Sequence, residues 1–136
     1  MADAPLSIFQ VAGRAMSAQL VRMNTTASNL ANAGDVTGSA DTAYRTMKPV
    51  FRTSFDAATG LSTVDVEKIV TAGENPTARH DPNNPLADKD GNIYEAAVDE
   101  TRELVDMMET ARTYQNNVEV MQTAKSLILD TLKLGR

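Results

Sequence analysis

The stretch that decides the fold is Ser17–Asn32, which reads S-A-Q-L-V-R-M-N-T-T-A-S-N-L-A-N. Apolar or small residues recur through it and the preceding turns at alternating spacings of four and three: Phe9, Gly13, Met16, Leu20, Met23, Ala27 and Leu30. This is the heptad pattern of a helix that packs lengthwise against another helix. It predicts a first helix from about Ser7 to Asn32, with Gly34 just beyond its end.

The start of this helix and its one internal glycine each allow two interpretations. Either Pro5 begins the helix, or Ser7 caps it with Gln10 three residues later. Gly13 falls on the seam, where it either admits a close partner backbone or is a tolerated imperfection.

The last two turns of the helix are crowded with uncharged polar residues: Asn24, Thr25, Thr26, Ser28, Asn29 and Asn32. Such residues form helices poorly because their side chains compete for backbone hydrogen bonds. They suit a surface packed against another protein, where an unpaired charge is costly to bury. The alternative is an ordinary amphipathic helix whose polar face is rich in Asn and Thr.

A second helix is predicted over residues 98–134, which contain neither glycine nor proline. Its apolar stripe consists of Leu104, Met107, Ala111, Tyr114, Val118, Met121, Ala124, Ile128 and Leu132. Wholly helical, it would be about 55 Å long. A domain of this size cannot bury such a helix, so we expect it to pair with the first helix and then continue against other subunits.

The residues between the helices have a different composition and include four of the five prolines. Tyr44–Phe55 and Leu61–Val70 are predicted strands, and the turn at residues 56–60 joins them into a β-hairpin. Pro49 makes the first an edge or irregular strand. Residues 73–92 are predicted to be a loop, either an arm lying on a neighbour or partly disordered.

These elements predict a mainly α fold with a small β insert. Residues 1–34 together with residues 98–136 form a helical coiled-coil core domain, in which the N- and C-terminal helices pair as an antiparallel hairpin. Residues 35–97 form an insert made of the β-hairpin and an extended loop.

Composition excludes several kinds of function. The chain has 136 residues and a net charge of -5, which argues against nucleic acid as a partner. It has no cysteine, so disulfides and thiolate metal sites are excluded. No apolar run approaches the roughly 18 residues that would insert into a membrane. The N-terminal sequence lacks the basic start and apolar core of a cleaved secretory signal peptide.

No residue pattern indicates catalysis. His80 stands beside Asp81 in a loop, without the third group and pocket that catalysis would need. Asp88–Asn92 is similar to part of a calcium loop, but with Gly91 at position 6 the end ligands would be Leu86 and Ala97. We therefore expect no enzyme, no metal site, no cofactor and no small-molecule substrate.

Several segments together resemble the bacterial flagellar basal-body rod proteins, and within them the proximal rod members. The first is M-N-T-T-A-S-N-L-A-N at residues 23–32, similar to the family's N-terminal signature. The other segments are Val36–Gly38, Tyr44–Arg45, Asn84–Asp88 with Gly91, Arg112–Val120 and Leu132–Gly135. Residues 95–99 depart from the family's pattern, where the second helix begins.

The resemblance implies a structural subunit that assembles with itself and other rod proteins into a helical rod. This rod spans the periplasm and transmits torque. The resemblance also implies export by the flagellar type III apparatus without a cleaved signal. The expected subunit-interface residues are Met16, Leu20, Met23, Asn24, Ser28, Asn29, Leu30, Asn32, Arg112, Tyr114, Asn117, Val118, Met121, Ile128 and Leu132. The alternative is a soluble helical adaptor or export-chaperone-like binding module.

Overall fold

The computed structural model describes residues 7–135, and these residues form two helices separated by five strands. The predicted mainly α fold with a small β insert is therefore confirmed. In chain order the elements are α1 (Ile8–Ala31), β1 (Val36–Thr37), β2 (Met47–Asp56), β3 (Leu61–Thr71), β4 (Thr77–His80), β5 (Asn92–Glu95) and α2 (Glu100–Leu134).

The start of α1 is fixed by a capping box, the second of the two predicted arrangements. The Ser7 hydroxyl accepts a hydrogen bond from the backbone N–H of Gln10 (3.3 Å), and the Gln10 side chain accepts one from the Ser7 N–H (2.8 Å). Two backbone donors without helical partners are satisfied in this way. Pro5 lies outside the described residues. Asn32 caps the other end of the helix.

The predicted hairpin is present as the antiparallel pair β2–β3. Gly60 closes its turn with a φ of 68°, a backbone conformation that glycine adopts without a Cβ clash, and its N–H donates to Asp56 O. The hairpin is a two-stranded sheet, so β2 is an edge strand, one of the two forms expected from Pro49. The register shifts between Val50 and Phe51 because β3 contributes one extra residue there, Glu67.

The prediction that residues 73–92 form a loop is wrong for residues 77–80. These residues form β4, which pairs with β5. Strand β5 lies between β1 and β4 in a three-stranded antiparallel sheet, and its Ile93 is fully buried. The connection from β4 to β5 is stabilised internally. Asp88 Oδ1 accepts hydrogen bonds from the N–H groups of Asp90 and Asn92, at 2.9 Å each.

Helix α2 begins at Glu100, capped by Asp99, whose carboxylate accepts a hydrogen bond from the Arg102 N–H (3.1 Å). The predicted apolar stripe is wrong at its first position, since Leu104 is 54% exposed. The buried side chains of this helix are instead Glu103 and Thr110. The predicted stripe fails at the start of the helix because the first turns of α2 bury polar side chains and leave Leu104 facing solvent.

The predicted α1 seam is also only partly buried. Gly13, Leu20 and Ala27 are exposed, and the buried side chains of α1 are Ala12, Ala18, Thr25, Thr26 and Asn29. The physical reason is that α1 contacts two elements, α2 and the β-hairpin, so its buried surface is wider than one seam and displaced from it.

The side chain of Arg14 on α1 contacts the hairpin directly. Its guanidinium donates to the Thr63 hydroxyl (3.5 Å) and pairs with Asp65 (3.3 Å).

Within the described part of the chain, neither helix has a stretch long and apolar enough to cross a membrane.

Candidate subunit interface

Asn29, expected at the interface, lies inside the chain and is 1% exposed. Its amide nitrogen donates to Met47 O (2.8 Å) and Glu103 Oε2 (2.9 Å). Its amide oxygen accepts from the Met47 N–H (3.0 Å) and the Tyr44 hydroxyl (2.9 Å). An asparagine amide offers two donors and two acceptor lone pairs, so Asn29 has no capacity left for a neighbouring subunit.

The Glu103 carboxylate that Asn29 contacts is 2% exposed and lies within a group of charges. Lys48 Nζ is 3.9 Å from Glu103 Oε1 and 3.2 Å from Asp106 Oδ2. On the other side, Arg22 is 3.5 Å from Asp106 and 3.9 Å from Glu109. A buried carboxylate is tolerated when hydrogen bonds and opposite charges compensate its lost hydration.

These side chains come from α1, from α2, and from residues 44–48, which include the start of β2, so three parts of the chain meet at one point. We call this group the polar junction, and its members are Arg22, Asn29, Tyr44, Lys48, Glu103 and Asp106.

Sequence reasoning identified one member of the polar junction as a site residue, Asn29, and missed the other five: Arg22, Tyr44, Lys48, Glu103 and Asp106. An acid in the first turn of a helix is expected simply from the helix dipole. Nothing in its spacing separates buried Glu103 from its exposed neighbour Glu100. The cluster of Asn and Thr on α1 was the available signal, since uncharged polar residues suit a packed surface.

The other polar interface candidates near the end of α1 are partly engaged within the chain. The Ser28 hydroxyl lies 3.3 Å from the Tyr44 hydroxyl, and the Asn32 amide donates to the Ser28 carbonyl (2.7 Å). Asn24 is exposed, one turn before Ser28. Asn24 is therefore the amide of this group that a neighbouring molecule could reach.

The apolar interface candidates of α1 fall into two groups. Met16, Met23 and Leu30 are half-buried, whereas Leu20 is exposed. The half-buried side chains keep part of their surface in water within a single chain.

The candidates on α2 show the same division along the helix. Tyr114, Asn117, Val118 and Met121 are half-buried, and Arg112 is exposed. Beyond them, Ile128 and Leu132 are exposed together with Leu127, Leu129 and Leu134. We call residues 127–134 the leucine-rich end of α2.

A second exposed apolar surface lies on the β-hairpin. The register places Phe51, Phe55 and Ile69 on one face, and all three are exposed. The opposite face carries Thr63 and Asp65, which contact Arg14. This surface was not among the sites expected from the sequence.

His80 and Asp88, the residues considered for catalysis and for calcium binding, both make contacts at the connection from β4 to β5. His80 is exposed, with Nδ1 3.2 Å from the Asn92 side-chain oxygen. One oxygen of Asp88 accepts two backbone N–H groups of its own turn. Within residues 7–135, no three His, Cys, Asp or Glu side chains are grouped so that they could hold a metal ion.

Two sequence families match the two ends of the chain. The family described as "Flagella basal body rod protein" matches residues 9–38, and "Flagellar basal body rod FlgEFG protein C-terminal" matches residues 89–134. These ranges hold most of α1 and all of α2, including most members of the polar junction.

Curated relatives align with nearly the whole chain. The flagellar basal-body rod proteins FlgC of Salmonella typhimurium and Escherichia coli O157:H7 are each 43% identical over 133 residues, covering 96% of this chain and 98% of the relative. FlgC of Yersinia enterocolitica is 42% identical over 131 residues, with the same coverage. The chain therefore belongs to the flagellar basal-body rod protein family.

Proposed function

We propose that this chain, a structural subunit of the bacterial flagellar basal-body rod, assembles with other rod proteins and with its own copies through its two helices. The observation that carries the proposal is the leucine-rich end of α2, whose large apolar side chains are exposed in the single chain. Single soluble chains rarely expose a contiguous apolar surface without using it to bind a partner. Neighbouring subunits would cover it.

We further propose that α1 and α2 pair as an antiparallel coiled-coil hairpin. Three contacts support this order. Asn29, late in α1, bonds to Glu103, early in α2. Arg22, one to two turns earlier, pairs with Asp106 and Glu109. Ile8, at the start of α1, lines a groove with residues 116–127 of α2.

This pairing suggests a core domain of residues 1–34 and 98–136, with residues 35–97 as the insert. Helix α1 has 24 residues and α2 has 35, and Ile8 at the start of α1 lies beside α2 as far as Leu127, so about the last two turns of α2 extend past its partner. Most of the leucine-rich end belongs to this extension. An extension of this kind gives one subunit a lengthwise overlap with the next.

The expected interface residues divide into two proposed roles. Leu20, Asn24, Arg112, Ile128 and Leu132 are exposed, and we assign them to contacts with neighbouring subunits. The half-buried residues Met16, Met23, Leu30, Tyr114, Asn117, Val118 and Met121 pair the two helices and complete their burial on assembly. Ser28 and Asn32 support the end of α1 beside Asn29, which we assign to the interior of the subunit.

The remaining features of the proposal follow from the family. The rod would cross the periplasm and transmit torque, and its subunits would leave the cell through the flagellar type III export apparatus without a cleaved signal. Helices packed lengthwise resist twisting because every turn of one contacts its neighbour.

The proposed role is structural rather than enzymatic, without cofactor, small-molecule substrate, nucleic acid or membrane insertion. The buried carboxylate of the polar junction is paired within the chain, and the acidic balance disfavours nucleic acid. The alternative of a soluble adaptor or export-chaperone-like module has no support from the relatives, which are rod proteins by name.

The test is a double variant, Ile128→Asp with Leu132→Asp, expressed in a strain that lacks its own copy of this subunit. Both positions are exposed, so we expect the subunit to fold and to be exported. Rod assembly and motility should fail, because two charges would be buried against the neighbouring subunit. Secretion, basal-body micrographs and swimming would be measured together.

The control is Gln122→Asp, which adds a charge at an exposed position of the same helix outside the leucine-rich end. It should swim like the parent strain. Normal rods built from the double variant would contradict the proposal that the leucine-rich end binds a neighbour.

A further inference from the structure

The pairing of α1 with α2 at the polar junction includes groups that belong to neither helix. The side-chain amide of Asn29 on α1 donates a hydrogen bond to the carbonyl oxygen of Met47 and accepts one from its N–H. The backbone of a neighbouring strand would make the same two bonds. Its oxygen takes a further bond from Tyr44. Three of its four hydrogen bonds therefore go to the segment at residues 44–48 of the insert.

The carboxylate of Glu103 depends on the same segment. Its hydrogen bond comes from Asn29 and its nearest cation is Lys48 of β2. If residues 44–48 were displaced while the helices stayed in place, Asn29 would lose three partners and Glu103 would lose its neighbouring positive charge. Buried polar groups without partners, and buried charges above all, are strongly destabilising.

We propose that the polar junction makes closure of the helix pair at this end conditional on the insert. Helices α1 and α2 close around Asn29 and Glu103 only when residues 44–48 are docked against both of them. A subunit whose insert is not in place would then lack a paired helical surface at this end. This dependence lies within the single chain, whichever partners the subunit has.

The two ends of the helix pair should respond differently. Where Ile8 meets α2, the groove is lined mainly by apolar atoms of Val120, Ala124 and Leu127, and no insert residue takes part. An insert variant should therefore loosen residues 103–110 of α2 and leave residues 118–126 unchanged.

The experiment measures amide hydrogen exchange of the full chain with two substitutions in the insert. Lys48→Met removes the cation near Glu103, and Tyr44→Phe removes one hydroxyl that contacts Asn29. We expect exchange at residues 103–110 to become at least about tenfold faster in Lys48→Met, and less so in Tyr44→Phe, since hydrogen bonds and pairs involving charge contribute more. Arg52→Met is the control, because Arg52 is an exposed cation of the same strand.

A double variant separates conditional closure from simple destabilisation. Glu103→Gln removes the buried charge, so adding it to Lys48→Met should restore most of the protection at residues 103–110. If Lys48→Met alone does not fold, folding of the double variant is the expected result. Unchanged exchange at residues 103–110, equal acceleration along all of α2, or failure of the double variant to recover would overturn the proposal.

Discussion

Ile93 is the side chain on which the three-stranded sheet most depends. It is fully buried, whereas the other buried hydrophobic residues within the described range are alanines. Ile93→Ala removes three carbon atoms, worth about 0.8 kcal/mol each when buried, and leaves a cavity. We expect the free energy of unfolding of the sheet to fall by about 2–5 kcal/mol.

Amide exchange of the full chain tests this expectation locally. The N–H groups of β4 and β5 should exchange much faster in Ile93→Ala, because β5 loses the packing of its buried side chain and the two strands open more often. The control is Ile69→Ala, which makes the same chemical change at a position that is 52% exposed. Half of that side chain is already in water, so its loss should cost about 1 kcal/mol. Equal effects of the two substitutions would refute the reasoning.

Gly38→Ala should lower the free energy of unfolding by about 1–3 kcal/mol, because an added Cβ would lie 2.6 Å from the Leu86 backbone oxygen. An added Cβ at Gly13 would have no atom within 4 Å, so Gly13→Ala should raise the free energy of unfolding by up to about 1 kcal/mol in the single chain. Urea unfolding measures both changes. A Gly38→Ala variant as stable as the parent would contradict the expected clash with Leu86. Calcium should leave the melting temperature unchanged, and a calcium-dependent increase that Asp90→Ala abolishes would show that the loop binds the ion.

Periodicity predicted the elements well where one interaction dominates. The absence of glycine and proline over residues 98–134 indicated α2 to within two residues of its start. Two predicted strands on either side of the turn that ends in Gly60 indicated the hairpin. These signals are local, so a single sequence contains them.

Periodicity failed where an element contacts two others. A seven-residue repeat describes one seam, but α1 packs against both α2 and the hairpin, and Leu20 on the predicted seam is exposed. Strand β4 was missed because all of its residues are exposed, so it shows no alternation of apolar and polar side chains, and a loop rather than a tight turn joins it to its partner β5.

For the polar junction, the sequence indicated one residue but none of its contacts. Asn29 was identified as a contact residue, but the spacing of residues could not show that its partners are Met47, Tyr44 and Glu103 of the same chain. Two of these bonds are to backbone groups, which every residue carries, so no side-chain pattern reveals them.

The small-residue interior of the subunit determines how its stability changes with temperature. Threonine, alanine, Asn29 and Glu103 supply most of the buried side chains among the described residues. The heat capacity change of unfolding rises with apolar surface exposed and falls with polar surface exposed. The isolated subunit should therefore have a small heat capacity change for its length and a flat stability curve. The proposed packing of the leucine-rich end of α2 against neighbours would bury further apolar surface, so assembly should add curvature that the isolated subunit lacks.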